Sequence, residues 1–328
     1  MKYTNLGNSG LKISRIGLGC MSYGDPTRGN HSWVLNEEDG RGYIRKALEA
    51  GINLFDTANV YSDGASEEVL GRAVRDFASR DEVVLATKIF YPMSHHVNAG
   101  GLSRKAIFTE VDNSLRRLNT DYIDLLQIHR WDDATPIEET LDALNEIVKT
   151  GKARYIGASS MFAWQFMKAL GIQRERGWAQ FVSMQNHLNL LYREEEREML
   201  PLCISEGIGI IPWSPLARGR LTRPWSDEPV TQRAANDSVG ANYYSKAADA
   251  DRDVVAQVGE IADELKRPRA QVALAWLLQK PGVTAPIVGA TKPKHLDDGL
   301  EALELALSSE QLKKLERSYV PHNLSGHE

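Results

Sequence analysis

Val83-Val84-Leu85-Ala86-Thr87-Lys88 is a short apolar run that stops on an amine, and Tyr122-Ile123-Asp124-Leu125-Leu126-Gln127-Ile128-His129 is a longer one that stops on an imidazole. Between them, residues 103–118 carry the spacing of an amphipathic helix. That strand–helix–strand rhythm recurs along the whole chain. Further apolar runs lie at 16–21, 53–57, 154–158, 181–185, 209–213 and 285–289, with helical patterns at 66–77, 136–150, 164–176 and 194–206. Such alternation predicts an α/β fold, a single-domain (β/α)8 TIM barrel spanning 1–328, rather than an open doubly wound sheet.

Local signals support the helices. Ser66-Glu67-Glu68 and Thr135-Pro136-Ile137-Glu138 read as caps followed by acidic first turns, and Gly151 and Gly207 stand where helices end. Residues 2–14 read as a hairpin turning at Gly7-Asn8-Ser9-Gly10 and capping the barrel bottom. Residues 217–251 form a long loop expected to serve cofactor or substrate. Residues 308–328 read as an extra C-terminal helix and a polar tail.

Composition narrows the class. The 328 residues are 42% hydrophobic and 25% charged, with a net charge of −5, which argues against nucleic acid or an anionic membrane as partner. No apolar stretch approaches the roughly 20 residues needed to span a bilayer, and the first residues lack the apolar core of a secretory signal. The two cysteines, Cys20 and Cys203, sit in apolar settings. Together these features point to a reducing cytoplasm. No CxxC or HxxxH spacing suggests a metal, and His95-His96 reads as an exposed pair.

Carboxyl ends of parallel barrel strands share one face, and chemistry gathers there. Asp56, Tyr61 five positions later, Lys88 and His129 each fall at or just after such an end. Each has a plainer reading alone: a turn former, a half-buried ring, a snorkelling amine, a core imidazole. Together they make a proton-delivery set. A phenol titrates near ~10, too high for easy proton donation, and a neighbouring ammonium lowers that value. Asp56 would keep Lys88 charged, and His129 would hold a carbonyl oxygen near the Tyr61 hydroxyl. Since no side chain donates hydride, a nicotinamide cofactor is implied. Gly17-Leu18-Gly19-Cys20-Met21-Ser22 lacks the third glycine of a Rossmann fingerprint. Pro286-Ile287-Val288-Gly289-Ala290-Thr291-Lys292 instead offers a strand ending at Gly289, then a hydroxyl and an amine at a helix start, a setting suited to phosphate.

Asn53-Leu54-Phe55-Asp56-Thr57-Ala58 with Tyr61, Ala86-Thr87-Lys88, Gln127-Ile128-His129 and Ile211-Pro212-Trp213-Ser214-Pro215-Leu216 resemble, in that order, the signatures of the aldo-keto reductases. In finer detail Gly29-Asn30-His31, Gln127-Ile128-His129-Arg130-Trp131 and residues 216–225 are similar to the bacterial YajO-like branch. The resemblance implies a barrel that binds NADP(H) in extended form and reduces small aldehydes or ketones. It implies Tyr61 as general acid, tuned by Lys88 and Asp56, with His129 orienting the carbonyl. Ser159, Ser160 and Gln185 would fix the nicotinamide carboxamide, and Trp213 would stack on the ring. Ser214, Pro215, Leu216, Arg218 and Gly219 would follow the pyrophosphate, and Gly289, Thr291 and Lys292 would face the 2′-phosphate. Ser160 stands where many members carry Asn, and Asp298-Gly299 where Glu-Asn is common near the adenine.

By the same analogy Tyr23 and Trp131 would line the substrate pocket. Arg28, Arg130, Arg218, Arg220 and Arg223 lie in or near these loops and could receive a phosphate or carboxylate. The YajO-like resemblance also implies a role in forming 1-deoxyxylulose 5-phosphate. A different class stays open, an NADPH-binding regulatory or scaffold protein with little turnover.

Overall fold

The computed structural model describes residues 1–29, 31–226, 244 and 248–327. An antiparallel pair, β1 (Tyr3–Asn5) and β2 (Lys12–Ser14), precedes eight parallel strands: β3 (Gly17–Gly19), β4 (Leu54–Asp56), β5 (Val84–Ile89), β6 (Ile123–Ile128), β7 (Ala153–Ser159), β8 (Phe181–Gln185), β9 (Gly209–Ile210) and β10 (Ile287–Gly289). Their order is β10-β3-β4-β5-β6-β7-β8-β9. Backbone hydrogen bonds from Thr284 N to the Ile210 carbonyl (2.8 Å) and from Ile287 N to the Pro212 carbonyl (2.9 Å) join the two ends. The sheet is therefore a closed (β/α)8 barrel, as expected. β9 stops at Ile210, short of the run 209–213, because Pro212 has no N–H to give the ladder.

Helices α1 (Glu37–Glu49), α2 (Ala65–Phe77), α3 (Arg104–Leu118), α4 (Ile137–Lys149), α5 (Ala163–Arg176), α6 (Met199–Glu206), α7 (Ala248–Leu265), α8 (Arg269–Leu278), α9 (Pro293–Ala302) and α10 (Ser309–Glu316) complete the described structure. Helices α7 and α8 have no counterpart among the helical patterns above, with α7 beginning inside the expected loop 217–251, and the first, α1, has none either. Asn36 caps it, accepting from Asp39 N at 3.0 Å, but Gly40 and Gly42 weaken its helical signature. Two expected caps are corrected. Ser66 donates its hydroxyl to the Cys20 carbonyl at 2.8 Å, and the Thr135 hydroxyl goes to Asp132 at 2.7 Å. The pattern 194–206 divides into a short 3-10 turn, Glu194–Glu196, and α6. Pro201 is tolerated only in a first helical turn, so the helix begins just before it. Gly207 does end that helix, with φ of +68°.

The barrel interior explains where the site forms. Leu54, Val84, Ala86, Leu125, Ile211, Ala285 and Ile287 make one apolar cluster, plugged by Leu6 and Ile13 of the β1–β2 hairpin. A second cluster, including Leu85, Leu126 and Ile128, lies between strands and helices. Side chains alternate with period two along a strand. The inward series therefore run Leu54–Asp56, Val84–Ala86–Lys88 and Leu125–Gln127–His129. Apolar residues fill the bottom of the barrel, and polar ones follow them at the top.

The described residues contain no helix long and apolar enough to cross a membrane. Cys20 and Cys203 are both buried and unbonded. Of the expected loop 217–251, segments 227–243 and 245–247 lie outside the described residues, as does Asn30. After α10 the chain crosses back over the β8–α6 connection. The Tyr319 hydroxyl donates to Glu194 (2.6 Å), Ser325 N donates to the Tyr192 hydroxyl (3.1 Å), and His322 Nε2 sits 3.0 Å from Asp251. What reads as a polar tail is a docked segment.

Candidate active site

Asp56 and Lys88 meet at the top of the inward columns. Lys88 Nζ lies 2.6 Å from Asp56 Oδ1 and donates to the Thr57 carbonyl at 2.8 Å. Lys88 is fully buried and Asp56 is 3% exposed. Burial alone would push the ammonium's pKa down, yet Asp56 and Tyr61 outweigh it and hold the value above the usual lysine range. The other carboxylate oxygen of Asp56 accepts from the side-chain amides of Gln127 (3.0 Å) and Gln185 (2.8 Å). Both amides are buried. Gln127 escaped the sequence reading because it lies inside an apolar run, although counting back two from His129 finds it. Gly157 makes the room: a Cβ there would come within 2.3 Å of Ser183 Oγ and 3.3 Å of Gln127 Cγ.

Tyr61 and His129 join this layer. The Tyr61 ring centre lies 5.1 Å from Lys88 Nζ and packs edge-on against the His129 ring at 5.8 Å. Tyr61 opens a turn in which Ser62, Asp63 and Gly64 all have positive φ. Left-handed serine and aspartate each cost about 1–3 kcal/mol, so the surrounding packing must enforce them. Arg117 closes that packing, since a Cβ on Gly64 would meet its Cδ at 2.6 Å. His129 is buried, and Nδ1 has no hydrogen-bond partner. Burial first, then the charges of Arg130 and Lys88, hold its pKa well below the histidine range. The imidazole is neutral, able to donate one hydrogen bond without bringing a second buried cation beside Lys88.

The residues expected to hold the nicotinamide lie at the ends of β7, β8 and β9. The Ser159 hydroxyl donates to the Gln185 carbonyl at 2.8 Å, and Trp213 Nε1 donates to Ser160 Oγ at 3.0 Å. Trp213 stacks on His187 at 4.1 Å with the planes 9° apart, and His187 stacks on Tyr192 at 4.2 Å. His187, absent from the sequence reading, is thus the backing of Trp213. Tyr192 is five positions on, but Trp213 is distant in the chain, so no local pattern announces the stack. Next come Ser214 (φ +51°), Pro215, Leu216, Ala217 (+47°), Arg218 (+54°) and Gly219 (+92°). Repeated left-handed backbone forms the kind of concave turn that receives anions.

Gly289 is exposed at the end of β10, where a Cβ would meet only Ser22 Oγ, at 3.5 Å. Thr291 N donates to His295 Nδ1 at 3.2 Å, and the exposed Lys292 precedes α9. The Asp298 carboxylate is buried and already accepts from Gln271 (3.0 Å) and Lys294 (2.7 Å). Those contacts make it a tie between α8 and α9.

One pocket residue is corrected. Tyr23 is fully buried, stacks on Tyr43 and donates its hydroxyl to the Ala290 carbonyl at 2.8 Å. It supports the strand end from behind and leaves no surface for a substrate. Trp131 is half-buried beside the exposed Trp164, ring centres 6.3 Å apart. Arg28 faces Glu68 at 3.3 Å, and Arg220 lies over Trp225 and Tyr244. His95 and His96 are exposed, and among the described residues no group of three His, Cys, Asp or Glu side chains could hold a metal.

A model of the Aldo/keto reductase family matches residues 15–320. The versiconal hemiacetal acetate reductase of Aspergillus parasiticus is 42% identical over 339 residues, covering 98% of this chain and 98% of that protein. A Schizosaccharomyces pombe protein with a provisional aryl-alcohol dehydrogenase name is 43% identical over 353 residues, covering 99% and 97%. An aldo-keto reductase of Metarhizium robertsii is 43% identical over 348 residues, covering 99% and 93%. These relatives are fungal, and they give no support to a place in the bacterial YajO-like branch.

Proposed function

The chain belongs to the aldo/keto reductase family, and we propose that it is an NADPH-dependent carbonyl reductase of the cytoplasm in which Tyr61 is the general acid. One observation carries this reading: a fully buried Lys88–Asp56 ion pair lies beneath Tyr61, next to a neutral His129. A buried ion pair is a costly way to gain stability. Its use here is electrostatic. Asp56 and its two glutamine donors keep Lys88 charged, and the ammonium favours the phenolate that forms when Tyr61 gives up its proton. His129 donates to the carbonyl oxygen and fixes it within reach of the Tyr61 hydroxyl.

The residues present fit a reduced nicotinamide, which when bound supplies the hydride that completes the reduction. A hydrogen-bond inventory supports the fit. Ser160 accepts from Trp213 and keeps its own proton to donate, Ser159 keeps acceptor capacity, and Gln185 spends its amide on Asp56 and keeps its oxygen. Trp213, held flat by His187, is the aromatic ring suited to stack on a nicotinamide. The left-handed turn from Ser214 to Gly219, with Arg218, suits a pyrophosphate, and Gly289, Thr291 and Lys292 suit a 2′-phosphate at the start of α9. That cation favours NADPH over NADH. The names of the relatives, a hemiacetal acetate reductase and an aryl-alcohol dehydrogenase, favour carbonyls with an apolar or aromatic body.

The test follows consumption of NADPH and of NADH against a panel of aldehydes. Tyr61→Phe should lower carbonyl reduction by at least ~10²-fold, the scale of lost general acid catalysis, while still quenching on NADPH addition. Near-normal turnover in that variant would remove Tyr61 as proton donor. Nucleotide binding with no turnover of any carbonyl would favour the regulatory alternative.

A further inference from the structure

One buried charge at the mouth of the barrel has no acidic partner among the described residues. Arg130 follows His129 at the end of β6 and is 8% exposed. Its Nη1 donates to the His129 carbonyl at 2.6 Å, and its guanidinium lies 5.8 Å from the centre of the Tyr91 ring. Its Nε is buried and meets no acceptor among the described residues, and none of their carboxylates forms an ion pair with it. Other inward arginines are treated differently. Arg80 faces Asp124, Arg117 faces Glu67, and Arg193 faces Glu196. Arg15 lacks a carboxylate, but its two terminal nitrogens donate to the Val283 and Leu278 carbonyls. Leaving a buried charged donor unmet is costly, and such costs persist chiefly where a ligand relieves them.

The position says which ligand. His129 packs edge-on against Tyr61 on one contact and Tyr91 on another, and Arg130 leans over Tyr91. The guanidinium and the imidazole assigned to the carbonyl therefore both border the Tyr91 ring. With Nη1 held by the backbone, the edge formed by Nε and Nη2 remains, and that edge matches the two oxygens of a carboxylate.

We propose that Arg130 binds a carboxylate of the substrate, so that the preferred substrates are small carbonyl compounds that also carry a carboxylate. This rests on the reductase reading and adds the substrate class to it. Arg130 supplies orientation as well as affinity, since a two-point contact beside His129 fixes the carbonyl against Tyr61.

The experiment compares kcat/KM for 4-carboxybenzaldehyde and its neutral isostere 4-carbamoylbenzaldehyde with NADPH and the full chain. The intact protein should prefer the acid by about tenfold or more, the scale of one charge-assisted hydrogen bond. Arg130→Met should bring the ratio close to one. Arg130→Lys, which keeps charge but loses the fork, should fall between. An intact protein without preference, or an Arg130→Met variant that keeps it, overturns the proposal. Should Arg130→Met fail to fold, the ratio in the intact protein and its decline with added salt decide. If neither aldehyde is reduced, the reductase reading has failed. Binding of benzoate against benzamide, followed by tryptophan fluorescence, then decides the anion site, and equal affinities overturn it.

Discussion

Acid should loosen this protein through His187, by an amount that follows from its surroundings. The ring lies flat between Trp213 and Tyr192, and its Nε2 is 2.8 Å from the Tyr244 hydroxyl. Burial, then the charge of Arg218, holds its pKa well below the histidine range. In the unfolded chain the same ring takes a proton near pH ~6.5. A depressed folded pKa contributes stability above the unfolded value, lost as the pH falls. For a ring neutral throughout the window, that loss is about 1.4 kcal/mol at pH ~5.5 and about 0.2 at pH ~7, a difference of roughly 1.2 kcal/mol. His129, depressed for the same leading reason, adds a similar amount. His322 works the other way. Asp251 outweighs its burial and raises its pKa, so its contribution is present in acid and lost as the pH rises. Replacing His187 isolates one contribution. His187→Phe keeps a flat ring in the stack and removes the titration. Urea unfolding followed by circular dichroism at both pH values gives the stability gap between variant and parent. That gap should narrow by about 1.2 kcal/mol on acidification. A gap of the same size at both pH values would refute the claim that His187 stays neutral in the fold.

Three further outcomes are expected. Lys88→Met should move the basic limb of the pH–rate profile to higher pH, because the phenolate loses its neighbouring cation; an unmoved limb would uncouple Lys88 from Tyr61. Gln127→Met removes one of two amide donors on Asp56 and should cost about 1–3 kcal/mol in denaturant unfolding; unchanged stability would show that the bond contributes nothing net. Gly71→Ala gains about 1 kcal/mol of helix propensity. Its Cβ, however, would meet the Leu118 carbonyl oxygen at 2.3 Å, an overpacking cost of about 1–3 kcal/mol or more. The melting temperature should fall, and a rise would refute the close approach of α2 to α3.

The barrel was legible because parallel strands buried on both faces read as near-continuous apolar runs, and helices between them keep their own period. The strand-end positions of Asp56, Lys88 and His129 followed from the same pattern. Gln127 and His187 were not legible for opposite reasons. Gln127 was hidden by apolar neighbours inside one strand, whereas His187 gains its place largely from Trp213 and Tyr244, contributed by two other segments. Tyr23 misled because position near a strand end says nothing of which way a ring turns. Its hydroxyl found the Ala290 carbonyl, and the ring went into the core with it. Helix α1 was missed because its two glycines erase the propensity signal that Asn36 and the acidic first turn supply.

The docked C-terminal segment bears on how the protein should be handled. Ser325 is bonded to the hydroxyl of Tyr192, the outer ring of the stack behind Trp213, and the His327 ring lies on Phe162 beside the end of β7. A purification tag or fusion partner joined at that end would pull on groups two rings away from the face assigned to the nicotinamide. The amino end enters through a hairpin at the opposite mouth of the barrel. A cleavable tag placed there keeps the load away from the site, and a C-terminally tagged preparation is the wrong material on which to judge nucleotide affinity.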